Sequence, residues 1–495
     1  MGTEAISREG IPARGRTEVE LELAYSLSTM QQRERSKTAM CSRSYSAVVV
    51  AVFALLSSAV SGQVGPPKDF KFTQADEKLF NEAEAIDRQF EKRGLLFNDP
   101  ALDAHLEEVA KPIVASAGTP DRVRWIFRIL RDPSVNAFAM PNGSIYVHTG
   151  LLALLESDAQ LAGILAREIA HGTNRDAYRQ FRAYRNKAFG RNVAEATALA
   201  GSVFPAPNLA LGTGTYWGAL IEVVGGASEV AMATSLFGYS GELEREADTF
   251  AVNQMTAEGY DPMELPKALR LLDEKLEVEL VTTFYSDHQK LAQRIAYTTS
   301  IAKGKQSPSA PTPISDPPYA AIVERAVRYN IQADIDSRRF RMAVAHAQHL
   351  VDLHPADPED TFLLAEAYRA LGPRTAEPSD KNLTRRGKAH ARMELMRRTP
   401  EEEENELLSR PDGRRSRQAN QEKAEELYVK VQAMNTSYAN VYRGLGLLYE
   451  DQGKWKEAQA AYGKYLELAP DASEGLRIRR RLDALDKALK ESGHP

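Results

Sequence analysis

The chain has 495 residues, enough for two or three domains. A formal net charge of −5 is small for that length, and basic residues sit among acidic ones, which excludes a nucleic-acid partner argued from charge. The single cysteine, Cys41, excludes both an internal disulfide and a cysteine-ligated metal centre.

Residues 1–62 read as an N-terminal extension and signal peptide. Arg33, Arg35, Lys37 and Arg43 precede the apolar run "AVVVAVFALLSSAVSG", and small residues close it. This is the order of a secretory signal, with cleavage expected near Ser61 to Gln63. The run falls short of the ~20 apolar residues of a membrane span. An uncleaved signal anchor is the alternative. Residues 1–39 are polar and unpatterned, and Met40 would open a signal of ordinary length, which points to an upstream start that is not the biological one.

Residues 67–303 read as one mixed unit of helices and a small sheet. "TQADEKLFNEAEAIDRQFEK" has helical spacing. "DRVRWIFRIL" alternates Val123, Trp125, Phe127 and Ile129 against Arg124 and Arg128, a strand signature. "VNAFAMPNGSIYVHTG" predicts strand, turn at Pro141-Asn142-Gly143, and strand. The helix "SDAQLAGILAREIAH" follows, with Ser157 as N-cap, Gln160 completing a capping box, and Gly172 as its stop. Residues 195–240 are rich in Ala and Gly and predict buried or lid-like helices. "GKQSPSAPTPISDPP", residues 304–318, is a linker by composition.

Residues 319–490 predict an all-α repeat domain. In "NVYRGLGLLYEDQGKWKEAQAAYGKYLELAP", Tyr442, Leu445, Gly446, Tyr449, Ala458, Tyr462 and Pro470 fall in the tetratricopeptide register. A weaker copy carries Ala343, Pro355, Leu364, Ala365 and Tyr368. A charged insertion, residues 373–419, is expected to be a mobile, solvated excursion. "QEKAEELYVKVQAM" reads as the second helix of a split middle repeat.

The chemistry centres on "GILAREIAHG". Zinc peptidases place His-Glu-x-x-His on a helix, so that two imidazoles one turn apart meet one metal and the Glu polarises its water. Here Arg167 stands where the first His would be, while Glu168 and His171 keep the rest. Downstream, "YSGELEREADTF" puts Glu244 and Asp248 one turn apart on a second helix.

Taken together these stretches resemble the zinc metallopeptidases of the HtpX and CAAX-prenyl-protease family. The likeness is greatest to its periplasmic BepA-type branch, which ends in tetratricopeptide repeats. "NAFAMPNGSIYVHTGLL", "LAREIAH", "ELEREAD" and "SDHQKLAQRI" carry the resemblance, over roughly residues 70–300. It implies an α+β zincin-like (gluzincin) domain with a small sheet, followed by the repeats. It implies zinc as cofactor, Glu168 as catalytic base, His171 and Glu244 as ligands, and Asp248 and Arg294 as their support. His288 would be able to reach the metal and hold the site closed. Clients would be unfolded or misassembled envelope proteins, added as a strand along the edge at Asn136, Ala137, Phe138 and Ala139 and held by the repeat surface. Envelope assembly machinery and a peripheral membrane contact are the further partners implied.

Arg167 breaks that pattern, because a guanidinium stays protonated and offers no lone pair to a metal. Three readings stand. Arg167 fills the metal position and pairs with Glu244, which makes the protein a pseudopeptidase and an envelope chaperone or scaffold. Zinc binds through His171, Glu244 and His288 with Arg167 swung aside. Or residue 167 is a one-base departure from a His codon.

Overall fold

The computed structural model describes residues 70–186, 239, 241–276, 288–305, 318–375 and 399–491. The apolar run at 47–62, the stretch 195–238 with its Gly-rich segment 211–218, and linker residues 306–317 lie outside the described residues. Among the described residues no helix is long and apolar enough to cross a membrane.

Helix α1 (Gln74–Lys92) opens on a full capping box, Thr73 with Asp76. Helix α2 (Pro100–Ala117) is capped by Asp99 with proline in its first turn. Three strands follow: β1 (Ile126–Leu130), β2 (Ala137–Ala139) and β3 (Ser144–His148). Their order is β1-β3-β2, with β3 parallel to β1 and antiparallel to β2. The predicted turn closes the β2–β3 hairpin: Gly143 donates to the Met140 carbonyl at 3.0 Å with φ of 99°, a conformation glycine adopts without penalty.

The strand period sorts side chains onto two faces. Phe127, Ile129, Ala137, Ala139, Ile145 and Val147 join the large core that also takes in Leu102, Leu106 and Ile113 of α2. Leu130, Phe138 and Tyr146 face the other way, onto Phe90 and Leu79 of α1. Asp87 of α1 ties down the hairpin, accepting from Asn142 Nδ2, Ser144 Oγ and Tyr146 Oη at 2.6–2.7 Å.

After the short α3 (Thr149–Leu154) comes α4 (Asp158–Thr173), which carries the REIAH stretch. Ser157 caps it, accepting from the Gln160 amide at 3.3 Å. The return arm of the expected capping box is shifted by one residue: Gln160 Oε1 accepts from the Glu156 amide, not from Ser157. The expected stop at Gly172 is also corrected, because the helix runs through it to Thr173. A Cβ at Gly172 would lie 2.6 Å from the Trp125 ring, so the glycine admits a close approach to the sheet. Arg175, with φ of 56°, takes the left-handed turn instead.

Helices α5 (Asp176–Asn186), α6 (Gly241–Ala257), α7 (Glu264–Leu276) and α8 (His288–Lys303) complete this half. The helical half begins with α9 (Tyr319–Asp336), α10 (Phe340–Leu353) and α11 (Pro358–Leu371). It continues with α12 (Pro400–Ser409), α13 (Pro411–Met434), α14 (Ala439–Asp451), α15 (Trp455–Leu468) and α16 (Gly475–Glu491). The small residues admit close helix approach: a Cβ on Gly446 would lie 2.4 Å from Tyr462, and one on Gly444 2.5 Å from Tyr428.

The charged insertion is corrected in part. Residues 376–398 lie outside the described residues, but 400–409 and 411–419 are helical, and α13 begins well before the repeat-like segment it was expected to be. Thr399 and Glu402 form a capping box. Glu403 is buried between Arg338 and Arg374, the latter at 2.8 Å. Charge here anchors the segment, because its carboxylate finds two guanidinium partners.

The two halves share one continuous core. Asn330 donates to the Thr149 carbonyl at 2.7 Å and Tyr319 Oη to that of Leu152 at 2.9 Å. Helix α9 is thereby seated on α3.

Candidate active site

Helix α4 is the central helix: every residue from Asp158 to His171 is buried. Its face carrying Arg167 and His171 meets the face of α6 carrying Glu244 and Asp248. Arg294 enters from α8.

Arg167 is the largest fully buried side chain among the described residues, at 0% exposure. Its guanidinium divides among three carboxylates. Nη2 donates to Glu244 Oε2 at 2.7 Å, Nε donates to Asp248 Oδ1 at 2.7 Å, and Nη1 lies 3.4 Å from Glu168 Oε1. The contact with Glu244 is single, and Asp248 takes the second strong bond. Arg294 grips Asp248 with two bonds, Nε to Oδ2 at 2.8 Å and Nη2 to Oδ1 at 2.7 Å, and its Nη1 lies 3.3 Å from Glu244 Oε2. Tyr297 Oη donates to Asp248 Oδ2 as well. Two guanidinium groups and three carboxylates thus form one buried network, with each carboxylate facing at least one cation.

Burial alone would raise the Asp248 carboxyl, but the charges of Arg294 and Arg167 and the bonds from Arg294 and Tyr297 outweigh it and hold it at about 2. A carboxyl depressed below its ordinary value of 3.8 stabilises the fold above that value, and the contribution is lost as pH falls through about 2. Acid denaturation of the natural protein between pH 4 and 2 is expected to lose roughly 2 kcal/mol from this group alone. Asp248→Asn should flatten that part of a stability-against-pH curve. An unchanged slope would show that the network does not depress Asp248. Glu168 goes the other way: burial outweighs Arg167 and His171, and its carboxyl is raised.

His171 is fully buried and stacks on Tyr239 with ring centroids 4.2 Å apart. Its Nδ1 is 2.8 Å from Asp176 Oδ2, and Asp176 is held in turn by Arg179 at 2.8 Å. Burial would lower the imidazole pKa, but the Asp176 hydrogen bond and the charges of Glu244, Asp176 and Glu168 raise it. Its Nε2 makes no hydrogen bond and lies 3.9 Å from Glu244 Oε1. His288 begins α8, and its side chain lies outside the described residues.

A catalytic zinc needs about three protein ligands in an open tetrahedral set. His171 Nε2 and Glu244 are placed as two of them, and Asp176 orients the imidazole as a carboxylate does behind a metal-bound His. The third place holds a protonated guanidinium bonded to Glu244 itself. Among the described residues no three His, Cys, Asp or Glu side chains are grouped to hold a metal ion. The donors among the described residues do not make up a zinc site.

The candidate substrate edge runs through β2, which ends the described strand order. Within the described sheet β2 pairs only with β3. Asn136, Ala137, Phe138 and Ala139 are each 3% exposed or less. Packing on both faces of the small sheet leaves none of these side chains in solvent, so a client strand can add there only if the surroundings open.

Several site residues were not singled out from sequence: Asp176, Tyr297, Tyr239 and Arg175. Asp176 alone had a signal, a carboxylate just past the end of the helix that carries His171. His148, at the end of β3, is fully buried, with Nδ1 2.9 Å from Ser134 Oγ.

Residues 100–302 match the family model described as Peptidase family M48. The chain is 32% identical to the Putative beta-barrel assembly-enhancing protease of Vibrio cholerae, over 36% of this chain and 34% of that protein. It is 26% identical to the Beta-barrel assembly-enhancing protease of Escherichia coli K12, over 38% of this chain and 36% of that protein. It is 37% identical to the Mitochondrial metalloendopeptidase OMA1 of Schizosaccharomyces pombe, over 14% and 20% of the two chains. The chain thus spans about a third of the length of the two bacterial relatives it matches and a fifth of the fungal one.

Proposed function

We propose that the chain, whose residues 100–302 match the Peptidase family M48 model, is a metal-free relative of those peptidases that holds polypeptide clients of the cell envelope without cutting them. The supporting observation is Arg167, whose guanidinium stands 2.7 Å from both Glu244 and Asp248. A positive charge fixed between two carboxylates does the electrostatic work that a dication does at that position in a peptidase. It supplies neither a Lewis acid nor an activated water. Glu168, raised by burial, has no metal-bound water to deprotonate.

Holding a client needs no metal. An extended segment can bind by main-chain hydrogen bonds along a strand, here β2 once its surroundings open. We read the helical half as a tetratricopeptide array, whose stacked helix pairs offer a concave surface for peptides. The signal-like N-terminal run supports export to the periplasm. The bacterial relatives' names support clients or machinery connected with beta-barrel assembly.

Metal content decides the proposal. The purified natural protein is expected to hold well under one zinc per chain and to leave casein intact, whether or not chelator is present. Arg167→His should take up one zinc, since His171 Nε2 and Glu244 are already placed. One zinc per chain in the natural protein overturns the reading. If His288→Ala then abolishes that zinc, the ligand set is His171, Glu244 and His288.

A further inference from the structure

Beside the buried network lies a recess of about 190 Å³, mouth included, lined by Ala139, Met140, Pro141, His171, Arg175 and Tyr239 among others. Two of these side chains bring unsatisfied nitrogens. His171 Nε2 and Arg175 Nη1 are buried and make no hydrogen bond.

Arg175 is the unusual one. It is 7% exposed, and among the described residues its only side-chain hydrogen bond runs from Nη2 to the Asp121 carbonyl at 3.0 Å. Its guanidinium otherwise lies against aromatic faces, 4.4 Å from the Phe70 centroid and 5.1 Å from that of Phe72. Two other arginines pack on the same pair of rings, and each has a carboxylate: Arg122 pairs with Glu77, and Arg182 with Asp76 at 2.6 Å. Among the described residues no carboxylate lies within ion-pair distance of Arg175. A buried cation normally has an anion, because an unpaired one costs several kcal/mol. Arg175 also holds the left-handed conformation, at φ of 56°, that favours glycine, so its backbone carries strain as well.

We propose that the recess takes a carboxylate of a bound polypeptide, its free C-terminus in the first instance, with Arg175 as the pairing cation. The enclosed part has little more room than a water needs, so only a carboxylate oxygen would enter and the rest of the chain would lie outside the mouth. Pro141 and Met140 border the hairpin that begins at β2, which places this anchor at the end of the strand proposed to hold the client. The inference rests on the proposed function in one respect: the Nε2 of His171, a residue that borders the recess, can answer a carboxylate only if it is not spent on a metal.

The test is calorimetry on the full-length protein, with zinc content measured on the same preparation. Three probes are used: a short uncharged peptide with a free C-terminus, its C-terminal amide, and an amidated peptide with one internal Asp. The free acid is expected to bind about tenfold or more tighter than the amide, the size of one charge-assisted hydrogen bond. Arg175→Met should bring the acid down to the amide level. An amidated Asp peptide that matches the acid supports the same pairing and assigns the carboxylate to a side chain. Equal binding of acid and amide by the natural protein, or no binding of the acid, overturns the proposal, and that comparison stands even if Arg175→Met does not fold. One zinc per chain with the acid preference intact defeats the metal-free reading alone. No zinc and no acid preference defeats the carboxylate site alone.

Discussion

Arg167→Met should lower folding stability by about 3–5 kcal/mol, the usual cost of removing one partner from a buried ion pair. The magnitude follows from the charge count at the site. Two guanidinium groups face Glu168, Glu244 and Asp248, all buried. Without Arg167, Arg294 alone must serve three carboxylates, and it already spends two bonds on Asp248. Methionine fills the volume of the aliphatic stem but offers no donor.

Lysine is not expected to rescue the site. Arg167 points Nε, Nη2 and Nη1 at three different residues, and a single ammonium cannot reproduce that fork. Combining Arg167→Met with Glu244→Gln should recover part of the loss, because it removes one stranded charge, and the cycle isolates the pair. Urea denaturation followed by circular dichroism reads each variant. A loss below about 1 kcal/mol for Arg167→Met, within the range of an exposed pair, would mean that the guanidinium does not hold these carboxylates together.

Gly150→Ala is the second large effect, and it acts at the junction between the two halves. A Cβ there would lie 2.0 Å from the Pro133 carbonyl oxygen and 2.5 Å from that of Ser134. Both are backbone atoms, so no rotamer change relieves the clash. The same corner carries the Gly150 amide bond to the Asp132 carbonyl at 2.9 Å and the Thr149 hydroxyl bond to that carbonyl, also at 2.9 Å. It also seats α9 through Asn330 and Tyr319. Overpacking ordinarily costs about 1–3 kcal/mol, and the upper end or beyond is expected where backbone must move on both sides. Limited proteolysis should show the helical half released first. Unchanged stability and an unchanged cleavage pattern would show that this corner does not hold the halves together.

The sequence by itself determined the elements and the order of the site. Period-two alternation marked β1, the Pro141-Asn142-Gly143 turn marked the hairpin, and capping residues marked the start of α4. Glu168, His171, Glu244, Asp248 and Arg294 could be named because each sits one helical turn from a partner or within a family stretch. Those are local patterns, written within a few residues of one another. The wrong expectations were also local: Gly172 looks like a helix stop until Trp125 is seen to need its missing Cβ, and the insertion looks solvated until Glu403 meets Arg338 and Arg374.

Tertiary structure alone decided what Arg167 does. The sequence allows a guanidinium that pairs with Glu244 or one that swings aside. Which of these is realised depends on carboxylates 77 and 81 residues away in the chain. Burial then makes the choice binding, since a charge at 0% exposure is tolerable only if every neighbour answers it. The same reason explains Arg175. Its sequence neighbourhood carries no such signal, and only the fold shows a buried cation beside a recess, with no carboxylate in ion-pair reach among the described residues.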